Sequence, residues 1–154
     1  LKRFRFSLET VLKLRRQVEE LRQRELAEVQ ARRQRALAEL GAFENGLRAL
    51  LQEQAALGAG RIDLNTLAWY QARCRGFNDS IKACRRKTEE LAKAEELARQ
   101  RAVEAAKERR LLERLEESQR QDWLRKLNSE EQGFLDDLAQ RTLSVMESLP
   151  VSAA

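Results

Sequence analysis

The chain has 154 residues, of which 36% are charged, 5% are aromatic and a single one is proline, a balance that suits long solvated helices and excludes a large globular core. Its net charge of +5 is the difference between 30 basic and 25 acidic side chains, and signs interleaved in this way mainly serve solubility and local pairing along helix faces. The imbalance is uneven, with +4 over residues 1–57, +5 over 58–127 and −4 over 128–154, so the acidic end is a region apart. No apolar run approaches the ~20 residues that cross a bilayer, and Leu1 to Leu8 lacks the apolar centre of a secretion signal. A cytoplasmic chain is expected.

The first element opens with Ser7 as a suitable N-cap, Glu9 as negative charge in the first turn, and Phe6 and Val11 at the positions of a hydrophobic staple. This predicts helix 1 over about 8–57. Val11, Leu14, Val18 and Leu21 open its apolar seam, after which the register moves by one residue to Leu26 and Val29, the mark of a stutter. From there Leu26, Val29, Arg33, Ala36, Leu40, Phe43, Leu47, Leu50, Gln54 and Leu57 alternate three and four apart, the heptad spacing of a coiled coil. Gly41 and Gly46 each cost ~1 kcal/mol relative to alanine inside a helix; they either admit a close partner or soften the element.

A turn over 58–64 follows, in which Gly58-Ala59-Gly60 tolerates positive φ and Asp63 or Asn65 can cap the next helix. So short a link favours an antiparallel hairpin. Helix 2 is predicted over about 65–148, with a seam at Leu67, Tyr70, Cys74, Phe77, Ile81, Cys84, Thr88, Leu91, Glu95, Ala98, Ala102, Ala105, Arg109 and Leu112. At ~1.5 Å rise per residue it would run ~125 Å against ~75 Å for helix 1. Pairing outward from the turn sets Leu57 near residue 67 and Leu8 near residue 116, so roughly the last thirty helical residues have no partner within the chain. Leu124, Leu127, Phe134, Leu138, Val145 and Leu149 nevertheless keep a helical stripe there, with Glu131 and Thr142 in its gaps, and such a stripe implies a bound neighbour or a fold-back. Asn128-Ser129-Glu130-Glu131-Gln132 holds a Ser-x-x-Gln capping box, which offers a break near 128 as the alternative to a continuous helix. The expected fold is all-α: a long antiparallel two-helix coiled coil, a helical hairpin, with helix 2 overhanging helix 1, forming a single elongated domain over 1–154 with a tail at 149–154.

Chemistry is conspicuous by what the residue types withhold. There is no histidine to act as a base near neutral pH and no glycine-rich strand-to-helix turn to cradle phosphate. Carboxylates on a two-helix structure stay in water, with little to shift their pKa values. Cys74 and Cys84 lie ten residues apart in one helix, ~15 Å, beyond disulfide reach, and both occupy seam positions that suit buried thiols. No catalytic residue, metal ligand, cofactor or small-molecule substrate is expected, and the chain reads as not an enzyme. Basic clusters at Arg32-Arg33-Gln34-Arg35, Arg85-Arg86-Lys87 and Lys107-Glu108-Arg109-Arg110 could meet phosphates, yet they have acidic neighbours and no interleaved aromatics. They read as solvated faces, without a nucleic-acid partner. Trp69 falls outside the seam beside Tyr70, on the side that carries Arg73, Gly76 and Ser80; it either marks a contact site near the hairpin tip or covers the turn.

The opening Phe4-Arg5-Phe6-Ser7-Leu8-Glu9-Thr10-Val11-Leu12-Lys13-Leu14-Arg15 resembles the N-terminal signature of the FliJ family, the coiled-coil stalk of the flagellar type III export ATPase. Glu131-Gln132-Gly133-Phe134-Leu135-Asp136-Asp137-Leu138-Ala139-Gln140-Arg141 resembles that family's closing motif, with Asp137 where Glu is commoner; the turn followed by Tyr70 and Ile81 also fits. The resemblance implies a stalk standing in the pore of a hexameric export ATPase with both termini inserted. Phe4, Phe6, Leu135, Asp136, Asp137 and Arg141 would then contact the ATPase, favouring ring assembly and hydrolysis. It also implies a hairpin tip facing the membrane export gate through Trp69, Tyr70, Arg73, Phe77 and Ser80, with Arg73 where the family leads one to expect an apolar group. Export chaperones are implied as further partners, with peripheral association at the inner-membrane export apparatus and a monomeric state in isolation. The other readings are the equivalent stalk of a virulence-type secretion system and a self-associating structural scaffold.

Overall fold

The computed structural model describes residues 3–58, 60 and 62–147. Two helices, α1 (Glu9–Ala56, 48 residues) and α2 (Leu64–Glu147, 84 residues), account for nearly all of them, and no strand is present among the described residues. They pack as an antiparallel helical hairpin in which α2 outruns α1. Contacts divide the chain into a middle unit, Gln17–Ala106, and a terminal unit made of residues up to Arg16 and from Lys107 onward.

In the middle unit the heptad spacing does what it predicts. From Leu26 to Gln54 on α1, and from Leu67 to Ala105 on α2, every seam position is buried or half-buried, with Ala36, Leu50, Tyr70, Ile81 and Cys84 among the most enclosed. Antiparallel register is written in the flanking ion pairs: Glu44–Arg85 (3.0 Å), Glu39–Lys87 (3.3 Å) and Arg33–Glu95 (2.8 Å) step down α1 as they step up α2. Polar seam residues are satisfied locally where they can be, as when the Thr88 hydroxyl donates to the Cys84 carbonyl (2.8 Å). Gly46 answers the question its position raised: a Cβ there would stand 2.7 Å from the Phe77 ring, so its absence lets that ring lie against α1, whereas Gly41 faces open space.

The turn differs from its expected chemistry. None of the described glycines has positive φ; Gly58 is needed instead because a Cβ there would lie 2.6 Å from the Ala55 carbonyl oxygen, which accepts the Gly58 N–H (3.1 Å). The Asp63 carbonyl accepts from Leu67 N–H (3.0 Å), which makes Asp63 the residue at the cap of α2. Ala59 lies outside the described residues.

The opening of α1 overturns the expected seam. Val11, Leu14 and Leu21 are exposed, and the enclosed face runs instead through Leu8, Leu12, Arg15, Glu19, Arg22, Leu26 and Val29. That series alternates four and three without interruption, so there is no stutter. A stutter would locally unwind the supercoil, and charged side chains with long apolar stems can line a seam if their heads find partners. Here Arg22 donates to Glu25 (2.8 Å) and Glu19 accepts from Gln23 (3.5 Å). Val11, Leu14 and Leu21 lie on the exposed face here, and the unbroken period marks the enclosed one.

In the terminal unit, Leu12 is almost wholly buried at 2% exposure, and Arg15–Glu108 and Arg16–Glu113 (3.2 Å) tie the two helices. The Leu8 carbonyl accepts from Leu12 N–H (2.9 Å) and the Phe6 carbonyl from Glu9 N–H (3.3 Å), so α1 starts at Glu9 with Leu8, not Ser7, at its cap. Phe6 is buried but Val11 is not, so this pair forms no staple. Farther along, α2 passes through residue 128 unbroken, and the Ser129 capping box lies inside a helix. Leu149 and the tail 149–154 lie outside the described residues.

Candidate functional site

Past its pairing with α1, α2 carries the first candidate surface. Trp123 is the last large aromatic enclosed by the chain, with its ring 6.1 Å from that of Phe4; thereafter every described side chain from Asn128 to Met146 is exposed. Phe134 is 65% and Leu135 62% exposed, and the two share a groove of about 420 Å³ with Leu127, Glu130 and Glu131. Asp137 and Arg141 border a second shallow groove with Gln140 and Ser144. The Thr142 hydroxyl donates to the carbonyls of Leu138 (3.0 Å) and Ala139 (2.8 Å), so this polar side chain is satisfied within its own helix. The surface offers apolar side chains beside carboxylates, the makings of a contact with a partner that supplies apolar area and cations.

Of the residues expected together at this end, the structure brings Leu135, Asp136, Asp137 and Arg141 onto one exposed helical stretch. Phe4 is half-buried against Trp123, and Phe6 is buried, its ring already spent on packing within the chain. Trp123 carries no motif of its own, although Leu112, Glu116, Gln119 and Trp123 continue the 4–3–4 spacing of the α2 seam. That period was the available signal.

The second surface lies near the turn, in the middle unit. Trp69 is 52% exposed, with its ring edge-on to Tyr70 at 4.9 Å and 87°. The Arg73 guanidinium stands 5.5 Å from the Trp69 ring and 5.7 Å from the Phe77 ring, so cation–π attraction holds the three as one shelf. Tyr70 points into the seam and is buried; it supports the shelf from beneath. Phe77 and Ser80 are half-buried and, with Phe43, Ala72, Arg73 and Gly76, line a groove of about 260 Å³ between the helices. Phe43, read from sequence only as a seam residue, is thus also a wall of this groove.

Electrostatics elsewhere are local. Within the three basic clusters, Arg32 pairs with Glu28, Arg33 with Glu95, Arg85 with Glu44, Lys87 with Glu39 and Arg109 with Glu113, so a phosphate would compete with carboxylates already in place. The hydrogen bond from Arg33, opposed by desolvation and helped by the charges of Arg33 and Arg99, holds the Glu95 carboxyl below its usual range; the hydrogen bond from Lys13 does the same for Glu9. Among the described residues no three Asp, Glu, Cys or His side chains are placed to share a metal ion, and no helix is long and apolar enough to cross a membrane. Cys84 is buried, Cys74 half-buried, and both are free thiols.

A family model described as the flagellar FliJ protein matches residues 4–147. No curated protein and no solved structure matches the chain significantly.

Proposed function

The chain belongs to the flagellar FliJ protein family, and from that premise we propose that it is a non-enzymatic stalk of a flagellar type III export apparatus. In this reading the exposed end of α2, with Leu135, Asp136, Asp137 and Arg141 and with the N-terminal segment at Phe4 and Phe6 packed beside its base, inserts into a hexameric export ATPase. There it promotes ring assembly and the hydrolysis that the ATPase itself performs. The observation that carries the reading is the uncovered run from Asn128 to Met146, which keeps its helix and its apolar residues with no partner helix from α1. Phe6 acts by shaping this end, since it is already buried.

An asymmetric helical element inside a six-fold ring meets unequal subunits, and it biases hydrolysis only through differential affinity for their conformations. The shelf of Trp69, Tyr70, Arg73, Phe77 and Ser80 is assigned to a membrane export-gate protein, with Tyr70 and Phe77 supporting Trp69 and Arg73. Export chaperones complete the set of partners, and the working location is the cytoplasmic side of the inner membrane, held there through these proteins. The stalk of a virulence-type secretion system would share this architecture, and it is the family match to a flagellar protein that favours the flagellar system.

The test is the ATP hydrolysis rate of the source organism's flagellar export ATPase as this chain is titrated in. Stimulation that saturates near one chain per hexamer supports the stalk. No change while the ATPase still forms hexamers moves the assignment to a self-associating scaffold, which sedimentation would reveal as a dimer lost on removing residues 128–154.

A further inference from the structure

Within the middle unit the seam changes character. Between Leu40 and Leu50 on α1 it presents Leu40, Phe43, Leu47 and Leu50, and α2 presents Tyr70, Phe77, Ile81 and Cys84. Nearer the unit's other end, α1 offers Glu19, Arg22, Leu26, Val29 and Arg33, and α2 offers Glu95, Ala98, Ala102 and Ala105, with no large apolar side chain at these α2 seam positions. Glu95 and the alanines are buried, so what the section encloses on α2 is small or charged, whereas the section nearer the turn encloses Tyr70, Ile81 and Cys84. Open grooves flank both sides of the Arg33–Glu95 layer: one of about 550 Å³ lined in part by Arg35, Lys87 and Leu91, and one of about 270 Å³ lined in part by Val29, Leu97 and Arg101.

The polar layer is also imperfectly satisfied. Glu95 accepts from both Arg33 (2.8 Å) and Arg99 (2.8 Å) at 7% exposure, while the Nε of Arg33 is buried without a hydrogen-bond partner. Glu95 is buried while both of its arginines stay more than a third exposed, so the pairs add little net stability, and the orphaned buried donor is a direct cost. A seam of small and charged side chains that makes few large apolar contacts is the physical mark of a segment that opens below the free energy of global unfolding.

We propose that the section bounded by Glu19–Arg33 on α1 and Glu95–Ala105 on α2 is a built-in compliant joint, whose helices part locally while the aromatic section nearer the turn stays closed. Its use in the molecule rests on the stalk reading: a stalk that answers unequal ring subunits needs a place where helix separation is cheap, and this section supplies it without disturbing the surfaces that meet partners.

Hydrogen exchange of the full-length chain tests the joint directly. Amides of residues 95–105 and 22–33 should exchange at least tenfold faster than those of 77–88 and 40–50; equal protection in the two sections overturns the proposal. Replacing the layer with Arg33→Leu and Glu95→Leu together should slow exchange in the section at least tenfold while circular dichroism stays unchanged, and unaltered exchange also overturns it. The same variant should lose at least threefold of ATPase stimulation. Full stimulation together with slowed exchange would overturn the joint's role in the stalk and leave the stalk itself standing. If the wild-type chain gives no stimulation, the stalk reading fails, and the wild-type exchange pattern still decides whether the section opens.

Discussion

Ile81 and Phe134 stand on the same helix and both obey the spacing of an apolar stripe, yet Ile81 is 5% exposed and Phe134 65%. Nothing intrinsic to α2 separates them. Ile81 lies where α1 runs alongside, and Phe134 lies beyond the point where α1 begins. Periodicity therefore reports that a helix face wants a partner, without saying whether the partner is in the same chain. In the paired region the stripe stabilises the hairpin; in the overhang the same pattern is free to be a contact surface.

The sharpest way to break this contrast is to charge both stripes. Ile81→Asp should destabilise the hairpin by at least about 3 kcal/mol, because a carboxylate would be forced into the seam, whereas Leu138→Asp should stay within about 0.5 kcal/mol as a substitution on an exposed face. Comparable thermal melting of the two variants would show that the seam register is wrong. Deleting everything after Leu127 should carry the contrast into function, abolishing ATPase stimulation while the melting transition of the middle unit is retained; full stimulation by the shortened chain would remove the overhang from the ATPase contact.

Glycines sharpen the comparison at smaller magnitude. Gly41→Ala should stabilise by about 0.5–1 kcal/mol, since its Cβ enters open space within a helix. Gly46→Ala should gain less or lose, because the Phe77 ring stands 2.7 Å from the new Cβ. Equal gains in denaturant midpoints would mean that the Phe77 ring does not lie against α1. Trp69→Ala should be milder still for the fold, costing about 0.5–1.5 kcal/mol through its edge-on contact with Tyr70, but should weaken binding to the export-gate protein; a loss of helicity would instead show that Trp69 holds the turn.

Acid sensitivity gives a last distinction. The Glu95 carboxyl is held below its ordinary value by Arg33 in the folded chain, so its contribution to stability is complete above the ordinary glutamate range and disappears as pH falls through the lower folded value. Glu95→Gln should therefore flatten the loss of stability below about pH 4. An unchanged acid limb would mean that the Arg33 pair leaves the folded carboxyl unperturbed.

Much of this architecture was legible because helices that coil on each other repeat a simple rule. The turn near Gly58, the antiparallel pairing, the α1 seam from Leu26 to Gln54 and the excess length of α2 all follow from spacing and from the absence of proline before Pro150, whereas Leu57, expected to close that seam, is exposed beyond the end of α1. The rule misled where polarity and period disagreed: Val11, Leu14 and Leu21 looked like seam, but Leu12, Arg15, Glu19 and Arg22 hold that face because the 3–4 alternation continues through them. For the candidate surfaces, sequence marked Trp69 and the acidic stretch after residue 128. It had no means of seeing that Arg73 lies between two rings, that Phe43 walls their groove, or that Phe4 rests on Trp123.

By itself, then, the sequence determined that this protein is two helices of unequal length with an unpartnered end, since heptad spacing and turn chemistry are local and need only neighbouring residues to be read. Tertiary structure decided which charged residues belong to the seam, which glycine admits an aromatic ring and which side chains share a surface. Those outcomes depend on residues dozens of positions away, and on the balance between burying a charge and keeping the register unbroken.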